Sequence, residues 1–240
     1  MVSNTTNTDF YNSVLFPGDY NGDGKQDIVS INPSGNTIKL YLATSDGNFS
    51  LCANPASFPN VFKNAQPADL NGDGKADLII TEEYPDGLGT PYYRYSFYIS
   101  NGTGFTGSYN FPKLKSFSYE LTPKGNEQDL PLNDIGDDFN GHGLADLLIS
   151  NSQNGSWEVH SYTYVNNALV NPALIGSGSI NSFVKCYAED FNGDGNTDLL
   201  AFVTSDLKIY YFEQNAFTLK YTFPVIISNH NFNIGDYNGD

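Results

Sequence analysis

A chain of 240 residues, 39% hydrophobic and 15% aromatic, is long enough to bury a large core. Its 27 acids against 11 bases give a formal charge of −16, a surface that repels phosphate backbones and argues against nucleic acid as a partner. No stretch reaches the roughly 20 apolar residues that span a bilayer, and the opening MVSNTTNTDFYNS lacks the basic segment and apolar run of a secretory signal. Seventeen Tyr, seventeen Phe and 23 Gly favour strands and tight turns over helices. Cys52 and Cys186 stand far apart and allow either one disulfide or, the preferred reading, two buried thiols.

In chain order, a short strand at 14–18 meets the segment DYNGDGKQD at 19–27, and an apolar run at 28–31 follows. After the turn Asn32-Pro33-Ser34-Gly35 comes an alternating strand at 37–42, then a weaker one near Phe49. The order recurs. DLNGDGKAD at 69–77 leads into Leu78-Ile79-Ile80-Thr81, a strand at 92–99 and another near Phe105. DFNGHGLAD at 138–146 leads into Leu147-Leu148-Ile149-Ser150, a strand at 156–164 and one near Leu169. DFNGDGNTD at 190–198 leads into Leu199-Leu200-Ala201-Phe202, a strand at 208–212 and one near Phe217. A fifth segment, DYNGD, occupies 236–240.

Short β-rich runs bounded by Gly, Pro, Asn and Ser read as strands. Four strands per unit of about 50 residues is the signature of a β-propeller blade. The expectation is an all-β chain: an incomplete propeller ring of four-stranded antiparallel blades at 13–60, 62–112, 131–180 and 183–228, with a fifth opening at 230–240. An extra segment at 113–130 reads as a rim loop. The ring would be completed beyond Asp240, making the chain a fragment of a longer protein.

The frame D-x-N-G-x-G-x-x-D fixes five positions and arises by chance about once per million starts; four complete copies are not accidental. Its chemistry is that of calcium, which takes six or more hard oxygens. In the first loop Asp19, Asn21 and Asp23 offer side-chain oxygens, Lys25 its carbonyl, and Asp27 closes the shell. The second assigns these roles to Asp69, Asn71, Asp73, Lys75 and Asp77, and the fourth to Asp190, Asn192, Asp194, Asn196 and Asp198. The third keeps Asp138, Asn140 and Asp146 but carries His142 at position 5, and imidazole suits zinc or copper better than calcium. The fifth has Asp236, Asn238 and Asp240 and no position 9. An EF-hand would need flanking helices and Glu at position 12, where Ser30, Ile80, Ile149 and Ala201 stand instead.

These loops resemble those of the FG-GAP family, also called VCBS repeats and known from the propeller head of integrin α subunits. The resemblance covers nearly the whole chain. It implies a propeller with Ca2+ in loops on one face, secreted or at the cell surface, in the manner of microbial members of the family. His142, His160, His230 and Trp157 read as surface or packing residues, and no catalytic triad, acid pair or phosphate loop is evident, so no enzyme is expected. Two functions follow. One is a binding or adhesion module presenting rim loops to a glycan or protein ligand. The other is the propeller scaffold of a larger secreted enzyme or Rhs-type toxin with catalysis elsewhere.

Overall fold

The structure is a computed structural model that describes residues 10–84, 92–110, 135–150, 154–166, 168–183, 185–203 and 206–224. It is an all-β propeller chain whose described strands form four antiparallel sheets, the blades. The first blade holds β1 (Val14–Gly18), β2 (Asp27–Asn32), β3 (Thr37–Ala43) and β4 (Phe49–Leu51), with β5 (Ala56–Ser57) pairing the far end of β3. The second holds β6 (Val61–Ala68), β7 (Asp77–Tyr84), β8 (Tyr92–Ser100) and β9 (Phe105–Asn110). The third holds β10 (Ile135–Asp137), β11 (Asp146–Ser150), β12 (Ser156–Val165) and β13 (Ala168–Ser179). The fourth holds β14 (Lys185–Glu189), β15 (Asp198–Val203), β16 (Asp206–Glu213) and β17 (Ala216–Pro224). Strand order follows chain order in every sheet. The segment 113–130, His230 and the fifth loop lie outside the described residues.

Each second strand is apolar on both sides because both sides are covered. All five residues of β11 and the first five of β15 are buried. Outer strands differ. Eight of the nine residues of β17 are exposed, which explains why the sequence shows little alternation there and marks the fourth strands as weak. β13 and β17 are nevertheless 12 and 9 residues long, because edge pairing needs no buried side chains.

Two compact units divide the chain: Met1–Gly125 with Thr163–Asn171, and Asn126–Tyr162 with Pro172–Asp240. In the first, Val29, Ile31, Ile38 and Leu40 pack with Ala65, Leu78, Ile80 and Tyr98 of the next blade. In the second, Leu148, Trp157 and Val159 pack with Leu199, Ala201, Tyr210 and Phe212. Trp157 meets Phe217 edge-on with ring centroids 4.7 Å apart, and Phe139 meets both Phe212 and Phe217 at 5.9 Å. Trp157 is thus a core residue, as expected. Both cysteines are thiols, Cys186 buried and Cys52 only half-buried.

Gly155 opens the hairpin into β12 at φ +71°, and a Cβ there would stand 1.9 Å from the carbonyl oxygen of Ile180, whose N–H donates to the Gly155 carbonyl at 2.9 Å. Neither backbone segment can yield without losing that bond. Gly155→Ala should therefore lower the unfolding free energy by about 3 kcal/mol. Gly35→Ala, with its nearest neighbours 3.7 Å away, should change it by less than about 0.5 kcal/mol. Urea denaturation followed by circular dichroism separates the two.

Candidate metal centre

Each D-x-N-G-x-G-x-x-D segment is the hairpin loop between the first and second strands of a blade. The pairs Gly18↔Asp27, Ala68↔Asp77, Asp137↔Asp146 and Glu189↔Asp198 close the four loops. Position 9 is therefore the first residue of the buried second strand.

Inside the loop the position-1 carboxylate gathers backbone donors. Asp19 Oδ1 accepts from Gly22 N at 2.7 Å and Asp23 N at 3.1 Å, and its Oδ2 accepts from Gly24 N at 2.7 Å. Asp69 and Asp190 repeat all three bonds. The turn can aim successive N–H groups at one point because Gly22 and Gly24 hold φ of +76° and +81°, the geometry of an anion nest. The Asn21 side-chain oxygen accepts from Asp23 N at 2.9 Å.

The position-9 carboxylate is fully buried in every blade. Asp27 accepts from Tyr20 N at 3.0 Å and from Ala43 N at 2.7 Å, at the end of β3. Asp77 does so from Leu70 N (3.0 Å) and Ser100 N (2.7 Å), and Asp198 from Phe191 N (3.2 Å) and Phe212 N (3.0 Å). Burial pushes these carboxyls upward, to about 7 at Asp77 and about 6 at Asp198; the two N–H donors restrain the shift and the neighbouring loop acids add to it.

Position 5 shows something the sequence did not suggest. Lys25 and Lys75, expected to supply only carbonyls, also bring their ammonium groups within 2.7 Å of Asp23 Oδ2 and Asp73 Oδ2. The Lys25 hydrogen bond holds the Asp23 carboxyl below the usual range. In the fourth loop the amides of Asn192 and Asn196 take that place on Asp194, at 3.0 and 2.9 Å. Loops are also joined in pairs within each unit. Ala76 N donates to the Asp19 carbonyl at 2.7 Å and Thr197 N to that of Asp138 at 2.9 Å. Gly141, at φ +69°, suits the second contact, since a Cβ there would lie 3.0 Å from the Gly195 carbonyl oxygen.

The third loop is built differently. His142 Nδ1 lies 3.2 Å from Asp138 Oδ1 and its Nε2 3.9 Å from Asp146 Oδ1. Nε2 is also 3.3 Å from Ser161 Oγ. Asn140 turns its Nδ2 toward Asp146 Oδ1 (3.5 Å) and Ser161 Oγ (3.4 Å), so its amide presents nitrogen to that side. Ser161 was not singled out in the sequence. It stands one residue beyond the Leu147↔His160 pair and so opposite Asp146, a relation that only the register gives. The line Ser161–His142–Asp138 has the order of a hydrolytic triad, but both contacts are long and Ser161 Oγ already accepts from Asn140. His160 is a packing residue, 5% exposed, with Nε2 2.9 Å from Glu158 Oε2.

Comparison with known proteins gives a family and a fold. The model of the FG-GAP-like repeat matches residues 19–80 and 138–201. No curated protein matches. Among solved structures, the Tc holotoxin pore of Photorhabdus luminescens is similar over 93% of this chain, at 21% identity and a TM-score of 0.50. This chain spans only 10% of the toxin chain's length. A protein from Lactobacillus plantarum is similar over 82% of this chain and 54% of its own, at 10% identity and a TM-score of 0.46.

Removing a position-9 carboxylate orphans two backbone donors at once, so Asp77→Ala should cost about 3 kcal/mol even in chelator. Asp77→Asn, which keeps one acceptor, should cost less. Denaturant melts of the two variants in EDTA check the order; equal losses would mean that the N–H bonds are not what Asp77 supplies.

Proposed function

The chain belongs to the FG-GAP-like repeat family, and on that premise we propose that it is a calcium-stabilised, non-catalytic propeller module that presents its rim loops to a glycan or protein ligand at the cell surface or outside the cell. The observation that carries this reading is the concentration of acid in the loops. The first, second and fourth each gather three aspartates within nine residues, one of them fully buried. The donor set fits the ion: carboxylates, an amide and a carbonyl are the hard oxygens calcium takes. In the first loop Asp19, Asn21, Asp23, the Lys25 carbonyl and Asp27 would hold it, with the corresponding residues in the second and fourth. When bound, the ion supplies positive charge to carboxylates that otherwise repel one another, and the protein's residues fix where that charge sits. The ammonium groups of Lys25 and Lys75, 2.7 Å from Asp23 Oδ2 and Asp73 Oδ2, hold the place at position 5 that the dication's charge would take.

A second reading makes these blades the scaffold part of a larger secreted enzyme or Rhs-type toxin. It is supported by the likeness to the toxin structure, which covers nearly all of this chain and a tenth of that one. The two readings share the calcium loops and differ in what the blades are attached to.

Calcium binding to the folded state adds RT ln(1 + [Ca2+]/Kd) per site, about 1 kcal/mol at millimolar calcium for sites of extracellular strength. A thermal melt in EGTA and then in millimolar calcium should show a rise of several degrees that magnesium does not reproduce. Asp73→Ala should remove one loop's share of it. No shift in a folded sample would sink the calcium reading.

A further inference from the structure

We propose that the third loop is a site for a borderline divalent cation of the zinc type, held by His142 together with Asp138 and Asp146. The ligating atoms of these three residues lie within 4.8 Å of one another, the spacing that, among the described residues, marks this one group of His, Cys, Asp and Glu. Two ligand atoms on one tetrahedral zinc, at bond lengths of 2.0–2.2 Å, stand about 3.3–3.6 Å apart. The 3.2 Å between His142 Nδ1 and Asp138 Oδ1 already approaches that; Asp146 Oδ1 lies 3.9 Å from the other ring nitrogen, Nε2, so the ring or Asp146 moves to bring all three residues onto one metal.

An independent observation points to a missing ligand. Asp146 Oδ2 is buried and has no hydrogen-bond partner, and the Asp146 side chain is wholly inaccessible. In the sister loops the position-9 carboxylate takes an N–H from position 2, at Tyr20, Leu70 and Phe191. The Phe139 N–H here donates to the Asp137 carbonyl at 3.0 Å and is the least of the groups that stabilise the Asp146 carboxylate. An orphaned buried oxygen is costly, and a cation bound to the Asp146 carboxylate would offset that cost.

The chemistry of the loop selects the ion. Calcium prefers six to eight oxygens, and this loop replaces one carboxylate with an imidazole nitrogen and turns the Asn140 amide nitrogen inward. Imidazole and carboxylate together suit zinc and its neighbours. Leu144 stands where Lys25 and Lys75 bring an ammonium to the other loops, so no built-in cation competes. Ser161 Oγ, 3.3 Å from His142 Nε2, is placed to hold the ring while the other nitrogen ligates. Three protein ligands leave the fourth position to water. The proposal does not depend on calcium in the other three loops.

The test is equilibrium dialysis of the whole chain, stripped with EDTA, against micromolar zinc in millimolar calcium, with both metals counted in the same samples. One zinc per chain is expected in the wild type and in His230→Ala. At least tenfold weaker zinc binding is expected in His142→Ala with an unchanged circular dichroism spectrum. His142→Asp should lose zinc likewise. Zinc bound equally by wild type and His142→Ala, or absent from the wild type, would overturn the proposal. The calcium count reads the other loops separately, so a failure there leaves the zinc result intact.

Discussion

A carboxylate buried at the first residue of a second strand, accepting one N–H from its own loop and one from the third strand, is the contact on which each of the first, second and fourth blades depends. Asp27, Asp77 and Asp198 make it with nearly the same distances. The loop cannot be displaced without exposing that carboxylate, and the third strand cannot slide without orphaning its N–H. One residue thereby fixes hairpin closure and sheet register together. The aromatic and aliphatic side chains then pack on a frame whose alignment is already set.

The same arrangement explains why the loops are acidic and why they lend themselves to cations. A buried aspartate is held by two neutral donors, which leaves part of its charge unbalanced, and the acids at positions 1 and 5 raise the local negative potential further. The lysines of the first two loops answer this with their own ammonium groups, and the fourth loop does so with two amides. The third loop has no aspartate at position 5, and brings an imidazole between its two carboxylates instead. Four copies of one motif thus meet one electrostatic demand in three ways.

Much of this was legible in the chain. The fold class follows from local residue types, because a glycine-rich acidic loop between β-rich runs can only be a hairpin loop, and Ile28 to Ile31 or Leu147 to Ser150 can only be strands covered on both faces. The family was legible for the same reason. What stayed hidden depends on residues distant in sequence. Ala43, Ser100 and Phe212 lie 14 to 23 residues from the carboxylates they donate to, and what they offer is a backbone N–H that every non-proline residue possesses. The pairing of Ala76 with Asp19 and Thr197 with Asp138 joins successive blades and leaves no trace in composition. Ser161 became visible only through the register of β12.

The central claim is that the position-9 carboxylate ties the third strand to the loop in the protein itself, with or without a bound ion. Amide hydrogen exchange in EDTA tests it at Ala43, Ser100 and Phe212. The account predicts that these three amides exchange as slowly as those of the buried second strands β2, β7 and β15. Exchange at the rate of exposed loop amides, slowing only when calcium is added, would contradict it.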